Sequence, residues 1–315
     1  MSRIPNKKSE VQQISIDSED ENRRIDNFLM SRFRGLPRTR VYQMLRRGEV
    51  RVNKGRKKPG YRLQSGDILR IPPISLETEQ TSAAPPDYLV KMLDSSIIFE
   101  DENILALNKP SGIVVHAGSG RSYGVIEVLR HLRPEDSNLQ LVHRIDQATS
   151  GCLLLSKTGQ GLRQLHQALK SGEMRKAYVA LLAGDIGPKA QTVDLALRKN
   201  TLSSGERIVR PDKEGKRAVS TFTRSRVFRE TCLAGISIET GRTHQIRVHA
   251  QSMGHPIAGD EKYGDESINR QLRKTGLSRL FLHASTLTLP AYGKKGLKLK
   301  APLSEELSSF LETHD

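Results

Sequence analysis

Apolar residues near the start of the chain recur at three- and four-residue intervals, which is the spacing of one face of a helix. The first run predicts a helix that buries Ile25, Phe28, Leu29 and Phe33. Pro37 interrupts this pattern. A second run predicts a helix that ends near Gly48 and buries Val41, Met44 and Leu45.

Short alternations of apolar and polar residues follow these helices and predict strands. Val50 and Val52 alternate in one segment, and Ile68–Ile71 forms another after the turn residues 65–67. We therefore predict a compact domain at residues 21–72, preceded by a flexible tail at residues 1–20. Residues 73–87 are rich in Pro, Ser, Thr and Ala, and this composition predicts a linker.

Residues 88–315 contain many short apolar segments and fewer helical patterns. The predicted strands are Ile97–Phe99, Ile104–Leu107, Ile113–Val115, Leu139–Val142, Cys152–Leu155, Tyr178–Leu182, Ile236–Ile238 and Leu287–Leu289. Helical spacing appears at residues 124–132, 161–171 and 243–253. This order favours an α+β domain with a mixed, largely antiparallel sheet flanked by helices. The basic segment at residues 198–217 predicts an exposed hairpin or loop.

Charge adds a class of partner to this picture. The 315 residues include 51 Lys and Arg against 35 Asp and Glu, with a formal net charge of +16. Such an excess attracts phosphate backbones. No apolar run approaches the roughly 20 residues that cross a bilayer, and the N-terminus has no apolar signal segment. We therefore expect no membrane partner.

The two cysteines and the absence of a heptad pattern predict the cellular compartment and the oligomeric state. Cys152 and Cys232 lie far apart in sequence, which argues against a disulfide framework and fits a reducing cytosol. We predict a cytoplasmic protein. We also predict a monomer, because no coiled-coil pattern appears.

The strongest local concentration of positive charge lies at residues 38–58. Its cations are Arg38, Arg40, Arg46, Arg47, Arg51, Lys54, Arg56, Lys57 and Lys58. Only Glu49 opposes them. A cationic helix followed by a cationic turn is typical of a phosphate-binding surface, and the alternative is an ordinary solvated helix face. We predict that these residues contact nucleic-acid phosphates: Arg38, Arg40, Arg46, Arg47, Lys54, Lys57 and Lys58.

One carboxylate stands out in the larger domain. Asp146 lies in the stretch LVHRIDQATSG, between the apolar runs Leu139–Val142 and Cys152–Leu155. Strands on both sides would hold Asp146 rigidly, and the small residues after it leave space beside its carboxyl group. Asp146 is therefore a candidate nucleophile or general base. The alternative is a turn aspartate that caps backbone N–H groups.

Three other chemistries find weaker support. The G-x-S-x-G pattern at residues 120–124 follows loop composition rather than the strand that a serine hydrolase needs. His244 and His249 are five residues apart, not four as in a helical zinc pair, and no Cys-x-x-Cys occurs. A magnesium nuclease would gather several carboxylates, whereas Asp146 is alone in its segment.

Two further segments carry candidate site residues. Thr243 is placed to cap a helix in which Arg247 lies at the border of the buried face, where a guanidinium needs an anionic partner. Tyr178 lies in the predicted strand of RKAYVALLAG. Taken alone, a tyrosine there is more often a core or edge residue.

These motifs carry a resemblance to known families. The segment RIDNFLMSRFRGLPRTRVYQMLRRGEVRVNKGRKKPGYRLQSGDILRIPP resembles the S4 RNA-binding domain. VHRIDQATSG, RKAYVALLAG and GRTHQIRVHAQ, in this order, resemble the RluA-type pseudouridine synthases, and LNKPSGIVVHAG and HPIAGDEKYG extend the match. The chain departs from the family pattern with HRID for the commoner HRLD, and with Gln147 where an acid is common.

The resemblance implies an isomerase that detaches uracil of an RNA uridine at N1, rotates it and rejoins it through C5, with no cofactor and no metal. It implies that Asp146 is the nucleophile, that Arg247 keeps Asp146 charged and oriented, and that Tyr178 stacks on the flipped base. Whether Asp146 attacks C1′ or C6, or assists glycal formation, stays open.

The resemblance also implies an RNA interface around the active site. Arg144 matches the residue that fills the stack vacated by the flipped base, and His143 beside it has either an RNA-contacting or a structural role. Arg242 and His244 are expected to touch phosphate or base. Details such as GEVRVNK and SGERIVR resemble members that act on large-subunit ribosomal RNA, so this RNA or an assembly intermediate of it is the expected partner.

Overall fold

The computed structural model describes residues 11–33, 36, 38–74, 84–117, 123–136, 138–201, 207–293 and 295–314. The chain divides into two compact units, an N-terminal unit of residues 1–85 and a C-terminal unit of residues 86–315. Within the described ranges, no helix has the length and apolar character needed to cross a membrane.

The N-terminal unit contains two helices beside a small sheet. Its elements are β1 (Gln12–Ser15), α1 (Ile25–Arg32), α2 (Arg38–Arg47), β2 (Arg51–Val52) and β3 (Ile68–Ile71). The sheet has the order β1-β3-β2, and both pairings are antiparallel. Both predicted helices and both predicted strands are confirmed.

The core of this unit consists of the faces that periodicity predicted. Its two helices bury Ile25, Phe28, Leu29, Phe33, Val41, Met44 and Leu45. In β3, exposed and buried residues alternate, because one face of the small sheet packs on this core.

The predicted ends of the N-terminal domain need correction. The tail at residues 1–20 was predicted to be flexible, but β1 lies within it and pairs with β3, with Ile16 buried just after it. Pairing with β1 covers an edge of β3 that would otherwise leave backbone groups unpaired. At the other end, Ile74 packs into the same core, inside the predicted linker.

The C-terminal unit contains six helices and twelve strands among its described residues. They are α3 (Asp87–Ser95), β4 (Ile97–Glu100), β5 (Ile104–Lys109), α4 (Val125–Leu132), β6 (Gln140–Leu141), β7 (Ser150–Ser156), α5 (Gly159–Ser171), β8 (Arg175–Ala183), β9 (Gln191–Asp194), β10 (Leu197–Thr201), β11 (Arg207–Pro211), β12 (Val219–Val227), β13 (Thr231–Ile238), α6 (Gln245–Ser252), α7 (Glu266–Lys274), β14 (Leu282–Leu289), β15 (Leu297–Lys300) and α8 (Glu305–Thr313).

A ten-stranded sheet forms the centre of this unit. Its main order is β4-β5-β7-β14-β8-β13-β12-β9, with β15 paired to β14 and β6 paired to β7. Among the pairings of the described strands, only that of β7 with β14 is parallel. The predicted α+β fold with a mixed, largely antiparallel sheet is therefore confirmed. Every residue of β7 is buried, as expected for a central strand covered on both faces.

Gly151 permits the parallel pairing beside Asp146. Its backbone has φ +109°, and a Cβ atom there would lie 2.3 Å from the carbonyl oxygen of Ala284 in β14. Only glycine fits such a conformation and such a close approach. The glycine of the QATSG motif thus brings β7 against β14 just after the loop that carries Asp146.

A separate two-stranded hairpin, β10–β11, stands beside the large sheet. Of the two possibilities predicted for the basic segment at residues 198–217, an exposed hairpin or a loop, the structure has a hairpin, with Ile208 and Val209 buried in it; residues 202–206 lie outside the described part of the chain. The hairpin matters for function because Lys199, Ile208 and Val209 reach the wall of the cavity described next.

Candidate active site

Asp146 lies in the loop between β6 and β7. Ile145 before it and Thr149 after it are buried, with 7% and 2% of their surface exposed. These two anchors hold the backbone, so the short loop projects the Asp146 side chain away from the core. The predicted placement of Asp146 between two strands is confirmed.

A neighbouring turn, residues 109–113, holds the loop from the other side. The Lys109 ammonium group donates to the carbonyl oxygens of Pro110, Ile113 and Gln147 at 2.7, 3.0 and 3.2 Å. Ser111 donates to the carbonyl oxygen of Ala148 at 2.7 Å. The backbone after Asp146 is thus fixed by hydrogen bonds as well as by packing.

Lys109 is fully buried, and its environment affects its charge. Burial and, to a smaller extent, the charge of Arg279 lower the pKa of Lys109, the charge of Asp146 raises it, and the net result is a pKa of about 7. Three carbonyl acceptors match the three N–H bonds of an ammonium group. The amino group of Lys109 therefore lies beneath the loop and interacts electrostatically with Asp146.

The Asp146 carboxylate faces open space rather than the protein. About 27% of its side chain is exposed. In the described part of the chain, no N–H or O–H group donates a hydrogen bond to it; its backbone carbonyl, not its side chain, accepts the N–H of Thr149. The alternative of a turn-capping aspartate is therefore wrong.

The space in front of Asp146 is a cavity of about 660 Å³. This volume lies within the range of about 300–1,000 Å³ that is usual for small-molecule sites. Among the described residues that line it, Asp146 is the only acid, whereas the cations are Arg144, Lys176, Lys199, Arg242 and Arg247. The cavity thus presents one carboxylate inside a positively charged wall.

Arg247 makes its ion pair with a carboxylate other than the one expected. Its Nε and Nη2 atoms donate to the two oxygens of Asp260, both at 2.7 Å, in a bidentate pair. The anion bound to Arg247 is therefore Asp260 and not Asp146, the residue that the resemblance implied Arg247 keeps charged and oriented. The chain after α6 returns over that helix and brings Asp260, which is itself 1% exposed, to the guanidinium.

Arg247 nevertheless acts on Asp146 through space. Burial would lower the pKa of Arg247, but the hydrogen bonds and charge of Asp260, and the charge of Asp146, raise it. Burial likewise would raise the pKa of Asp260, but the bonds from Arg247 hold it below its ordinary value. Arg247 therefore stays charged at the cavity wall, locked by one carboxylate while facing another.

Tyr178 lies on β8 and faces the same cavity, with 8% of its surface exposed. Burial raises the pKa of Tyr178, and the charge of Asp146 raises it further. The phenol is therefore neutral at physiological pH. Within the described chain its hydroxyl has no hydrogen-bond partner, so it is free to meet a ligand.

The remaining predicted residues of this unit divide into two kinds. Arg144 is exposed at the cavity, and Arg242 lines it while its Nε donates to the carbonyl oxygen of Arg217 at 3.1 Å. His143 instead accepts the backbone N–H of Leu154 in β7, and burial among its neighbours lowers its pKa to about 4. Its ring is thus neutral and bonded to the protein's own backbone.

His244 lies near the Asp146 carboxylate. Its Nε2 is 4.0 Å from Oδ2 of Asp146. Thr243 was predicted to cap the following helix, but α6 begins at Gln245 with His244 in the capping position. The Gln245 side chain explains the shift, because its oxygen accepts the Arg242 N–H and the Thr240 hydroxyl and closes the turn one residue later.

The predicted phosphate-binding cations of the N-terminal unit are mostly solvent-exposed. Arg46, Arg47, Lys54 and Lys58 are exposed. Arg40 pairs with Glu49 at 2.8 Å, and the Lys57 ammonium lies 4.4 Å from the centre of the Tyr61 ring. Arg38 begins α2, but its side chain lies outside the description.

Sequence reasoning missed three residues of this site. Lys176 lies two positions before Tyr178 on β8 and faces the same cavity, which strand periodicity predicts once Tyr178 is assigned. No carboxylate among the described residues pairs with Lys176. Lys109 and Tyr263 are also close to Asp146, but only the fold brings them there.

The alternative chemistries find no support from the geometry. No group of three His, Cys, Asp or Glu side chains in the described ranges is arranged to hold a metal ion. Gly120 and Ser122 of the G-x-S-x-G pattern lie outside the described residues. Cys152 and Cys232 are buried free thiols.

Comparisons with known proteins agree with this geometry. A family model described as RNA pseudouridylate synthase matches residues 103–252, and one described as S4 domain matches residues 23–69. The chain is 46% identical over 304 residues to Ribosomal large subunit pseudouridine synthase C of Pasteurella multocida (strain Pm70), covering 96% of this chain and 93% of that protein. The protein of the same name from Escherichia coli (strain K12) is 47% identical, with 96% of each chain covered.

A solved structure supports the same assignment. Human RNA Pseudouridylate Synthase Domain Containing 4 superposes with a TM-score of 0.60 at 26% identity, covering 72% of this chain and 95% of that one. The resemblance inferred from the sequence motifs is confirmed. The chain belongs to the RNA pseudouridylate synthase family, a family of isomerases, and carries an S4 domain ahead of its synthase domain.

Proposed function

We propose that this protein converts specific uridines of large-subunit ribosomal RNA to pseudouridine, with Asp146 as the nucleophile on a flipped-out uridine. One observation carries the proposal: Asp146 is the single acid on the described wall of a cationic cavity, and its carboxylate has no hydrogen-bond partner among the described residues. A group that performs covalent chemistry must be accessible and fixed, and Asp146 is both. The names of the most similar relatives support the choice of RNA.

The reaction balances without an external reagent. The N1–C1′ bond of the uridine breaks, the uracil turns, and a C5–C1′ bond forms. The proton on C5 leaves to solvent and N1 regains one. Asp146 forms a transient bond to C1′ or to C6, or removes a sugar proton on a glycal route; all three need an ionised carboxylate beside the ribose.

The cationic wall has two roles in this proposal. Arg247, locked by Asp260, supplies a fixed positive charge that interacts with Asp146 through space. Arg144, Lys176, Lys199 and Arg242 are placed to bind the phosphates that flank the flipped nucleotide. Flipping costs a few kcal/mol, and phosphate contacts offset it.

Tyr178 forms part of the floor on which the uracil would lie. Its ring faces the cavity from β8, and aromatic stacking contributes about 1–3 kcal/mol per base in single-stranded nucleic acid sites. Because its hydroxyl remains protonated, Tyr178 is suited to stacking and to hydrogen bonding rather than to acting as an anion.

Tritium release from a large-subunit rRNA transcript that contains 5-tritiated uridine tests this function. Asp146→Asn should lower release at least about 10³-fold, on the scale that loss of a nucleophile costs other enzymes. RNA affinity should stay similar or rise, because the variant removes a negative charge. Asp146→Ala runs in parallel, since Asn can deamidate to Asp.

Asp194→Asn is the matched control. Asp194 is exposed and pairs with Arg217, which lies in the turn before β12. It should release tritium at the wild-type rate. Substantial release by Asp146→Ala would refute the nucleophile assignment. If the wild-type enzyme binds large-subunit rRNA transcripts but releases tritium from none of them, the assignment of the substrate would instead be refuted.

A further inference from the structure

We propose that His244 is a positioning residue for Asp146, set in one tautomer by Tyr263, which is itself anchored to the backbone of the β10–β11 hairpin. The inference rests on the proposed role of Asp146. It adds to that role a second residue pair and a defined orientation for the imidazole. It also connects the reacting carboxylate to the basic hairpin.

The imidazole of His244 lies between the acid and the phenol. Its Nδ1 is 2.8 Å from the hydroxyl oxygen of Tyr263, and its Nε2 is 4.0 Å from Oδ2 of Asp146. The two rings meet edge to face with their centres 5.5 Å apart. The first distance is a hydrogen bond; the second is longer, so Nε2 acts on the carboxylate electrostatically.

The hydrogen-bond inventory assigns the tautomer. The Tyr263 oxygen accepts the backbone N–H of Val209 at 2.9 Å. A phenol has one proton to donate, and the only ring nitrogen beside it is Nδ1 of His244. If Nδ1 accepts that proton, the ring hydrogen lies on Nε2 and points toward the Asp146 carboxylate. The opposite tautomer would turn a nitrogen lone pair toward an anion.

Burial is the main factor that keeps the ring neutral. Burial lowers the pKa of His244 most; the charges of Asp146 and Asp260 raise it, and those of Arg247 and Lys262 lower it, with a net decrease. Arg242 precedes the ring in sequence, and Lys199 of the hairpin lines the same cavity. A neutral Nε2–H orients Asp146 without forming an ion pair that the reaction would have to break.

The backbone of His244 has an uncommon conformation that fits a functional placement of its side chain. Its φ is +53°, in the left-handed region that non-glycine residues seldom adopt. In the capping position of α6 its side chain makes no cap hydrogen bond. Instead that conformation directs the imidazole toward Tyr263 and Asp146. Unfavourable backbone geometry of this kind persists where surrounding contacts require it.

Tyr263 is held on several sides. Besides the bond from Val209, its backbone N–H donates to Asp260 at 3.0 Å, and the Arg247 guanidinium lies 5.0 Å from its ring centre. Tyr263 therefore joins the Arg247–Asp260 pair, His244 and the hairpin. Its 6% exposure makes it a fixed reference for the imidazole rather than an RNA contact.

Two substitutions of His244 distinguish the effect of a correctly placed N–H group from the effect of side-chain size. In Gln the side-chain N–H reaches the place of Nε2, whereas in Asn it reaches only the place of Nδ1. At saturating RNA in single turnover, His244→Asn should slow tritium release about 10- to 100-fold, on the scale that misplacing a reacting group costs. His244→Gln should stay within about fivefold of wild type.

Tyr263→Phe tests the tautomer. Loss of the phenol hydroxyl should slow single turnover by about tenfold. A hydrogen bond to neutral Nδ1 holds the pKa of His244 down, so its removal should raise that pKa, and the fall in rate on the acid side should begin at a higher pH than in wild type. Tyr292→Phe is the matched control, since that hydroxyl bonds to Asp101 away from the cavity.

The outcomes distinguish this inference from the proposed function. Tritium release by Asp146→Ala would refute both the proposed role of Asp146 and the inference about His244. An inactive Asp146→Ala with wild-type rates and pH profiles for His244→Asn and Tyr263→Phe would overturn the inference alone. The inference would also be overturned if the variants bind RNA more weakly but keep the wild-type rate at saturating RNA. The same holds if His244→Asn and His244→Gln lose equal amounts of single-turnover rate. If His244→Asn fails to fold, the pH profile of Tyr263→Phe decides.

Discussion

The basic segment of residues 38–58 and the cavity in front of Asp146 both carry an excess of cations, but they hold these cations differently. In the basic segment Arg46, Lys54 and Lys58 are exposed to solvent. In the cavity Arg247 is 8% exposed and fixed by two hydrogen bonds to Asp260. Exposed charges attract phosphate over a distance and adapt to its position; buried, paired charges fix a geometry.

The two regions should therefore respond differently to mutation. Loss of an exposed cation costs little stability but changes how RNA binding depends on salt. Loss of one member of a buried pair leaves a desolvated charge without a partner and destabilises the fold. The following predictions test that contrast, from the largest expected effect to the smallest.

Asp260→Asn should lower the free energy of unfolding by about 3–5 kcal/mol, because Arg247 would keep a buried charge without its anion. Chemical denaturation followed by circular dichroism measures the change. Asp185→Asn is the control: Asp185 pairs with Arg224 at 2.6 Å, but its side chain is 42% exposed, so the loss should stay below about 1 kcal/mol. Equal losses in both variants would contradict the contrast.

The same pair predicts a pH dependence. The folded-state pKa of Asp260 lies below its ordinary value. Its stabilising contribution is therefore fully present above the unfolded pKa of about 3.9 and is lost as pH falls through the folded pKa. The stability gap between wild type and Asp260→Asn should narrow as the solution is acidified below about pH 4. If the stability difference stayed constant below about pH 4, the charge of Asp260 would not be its cause.

In the basic segment, changing Arg46, Lys54 and Lys58 together to Gln should reduce the slope of log affinity against log salt by about 2–3, since each lost phosphate contact removes about 0.7–0.9. Filter binding of rRNA across a salt series measures the slope. Lys91, Lys274 and Lys298 are exposed and supply a control variant with the same change in net charge. An equal effect in the control would show that net charge alone is responsible.

Glu49→Gln should have the smallest effect. It removes the partner of Arg40 from an ion pair whose side chains are 39% and 27% exposed. Such pairs contribute about 0–1 kcal/mol, so the melting temperature should hardly change. RNA affinity should be equal or slightly higher, because the segment loses its only acid. A destabilisation comparable to that of Asp260→Asn would overturn the contrast.

Periodicity predicted the N-terminal helices well because each buries one continuous face. Ile25, Phe28 and Leu29 in α1 and Met44 in α2 are nearly or fully inaccessible. Periodicity missed β1, because its residues are mostly exposed and the strand exists only by pairing with β3. A strand of that kind carries no apolar pattern of its own.

The site shows the same division. Asp146 was identified from its motif, and its position between two strands followed from the apolar runs on either side. Asp260, the partner of Arg247, was not identified from the sequence, because periodicity shows that a side chain is buried but not which distant residue lies opposite. Tyr263 and Lys109 escaped notice for the same reason.

By itself the sequence determined the two kinds of domain, the excess of positive charge, the family and the acid at the centre of the proposed chemistry, because each depends on local pattern or motif. Only the tertiary structure decided that Asp260 binds Arg247, that Lys109 lies beneath the loop of Asp146, and that His244 stands between Asp146 and Tyr263. Ion pairs and hydrogen bonds fall off steeply with distance, and distance between remote residues is set by how the chain folds back on itself.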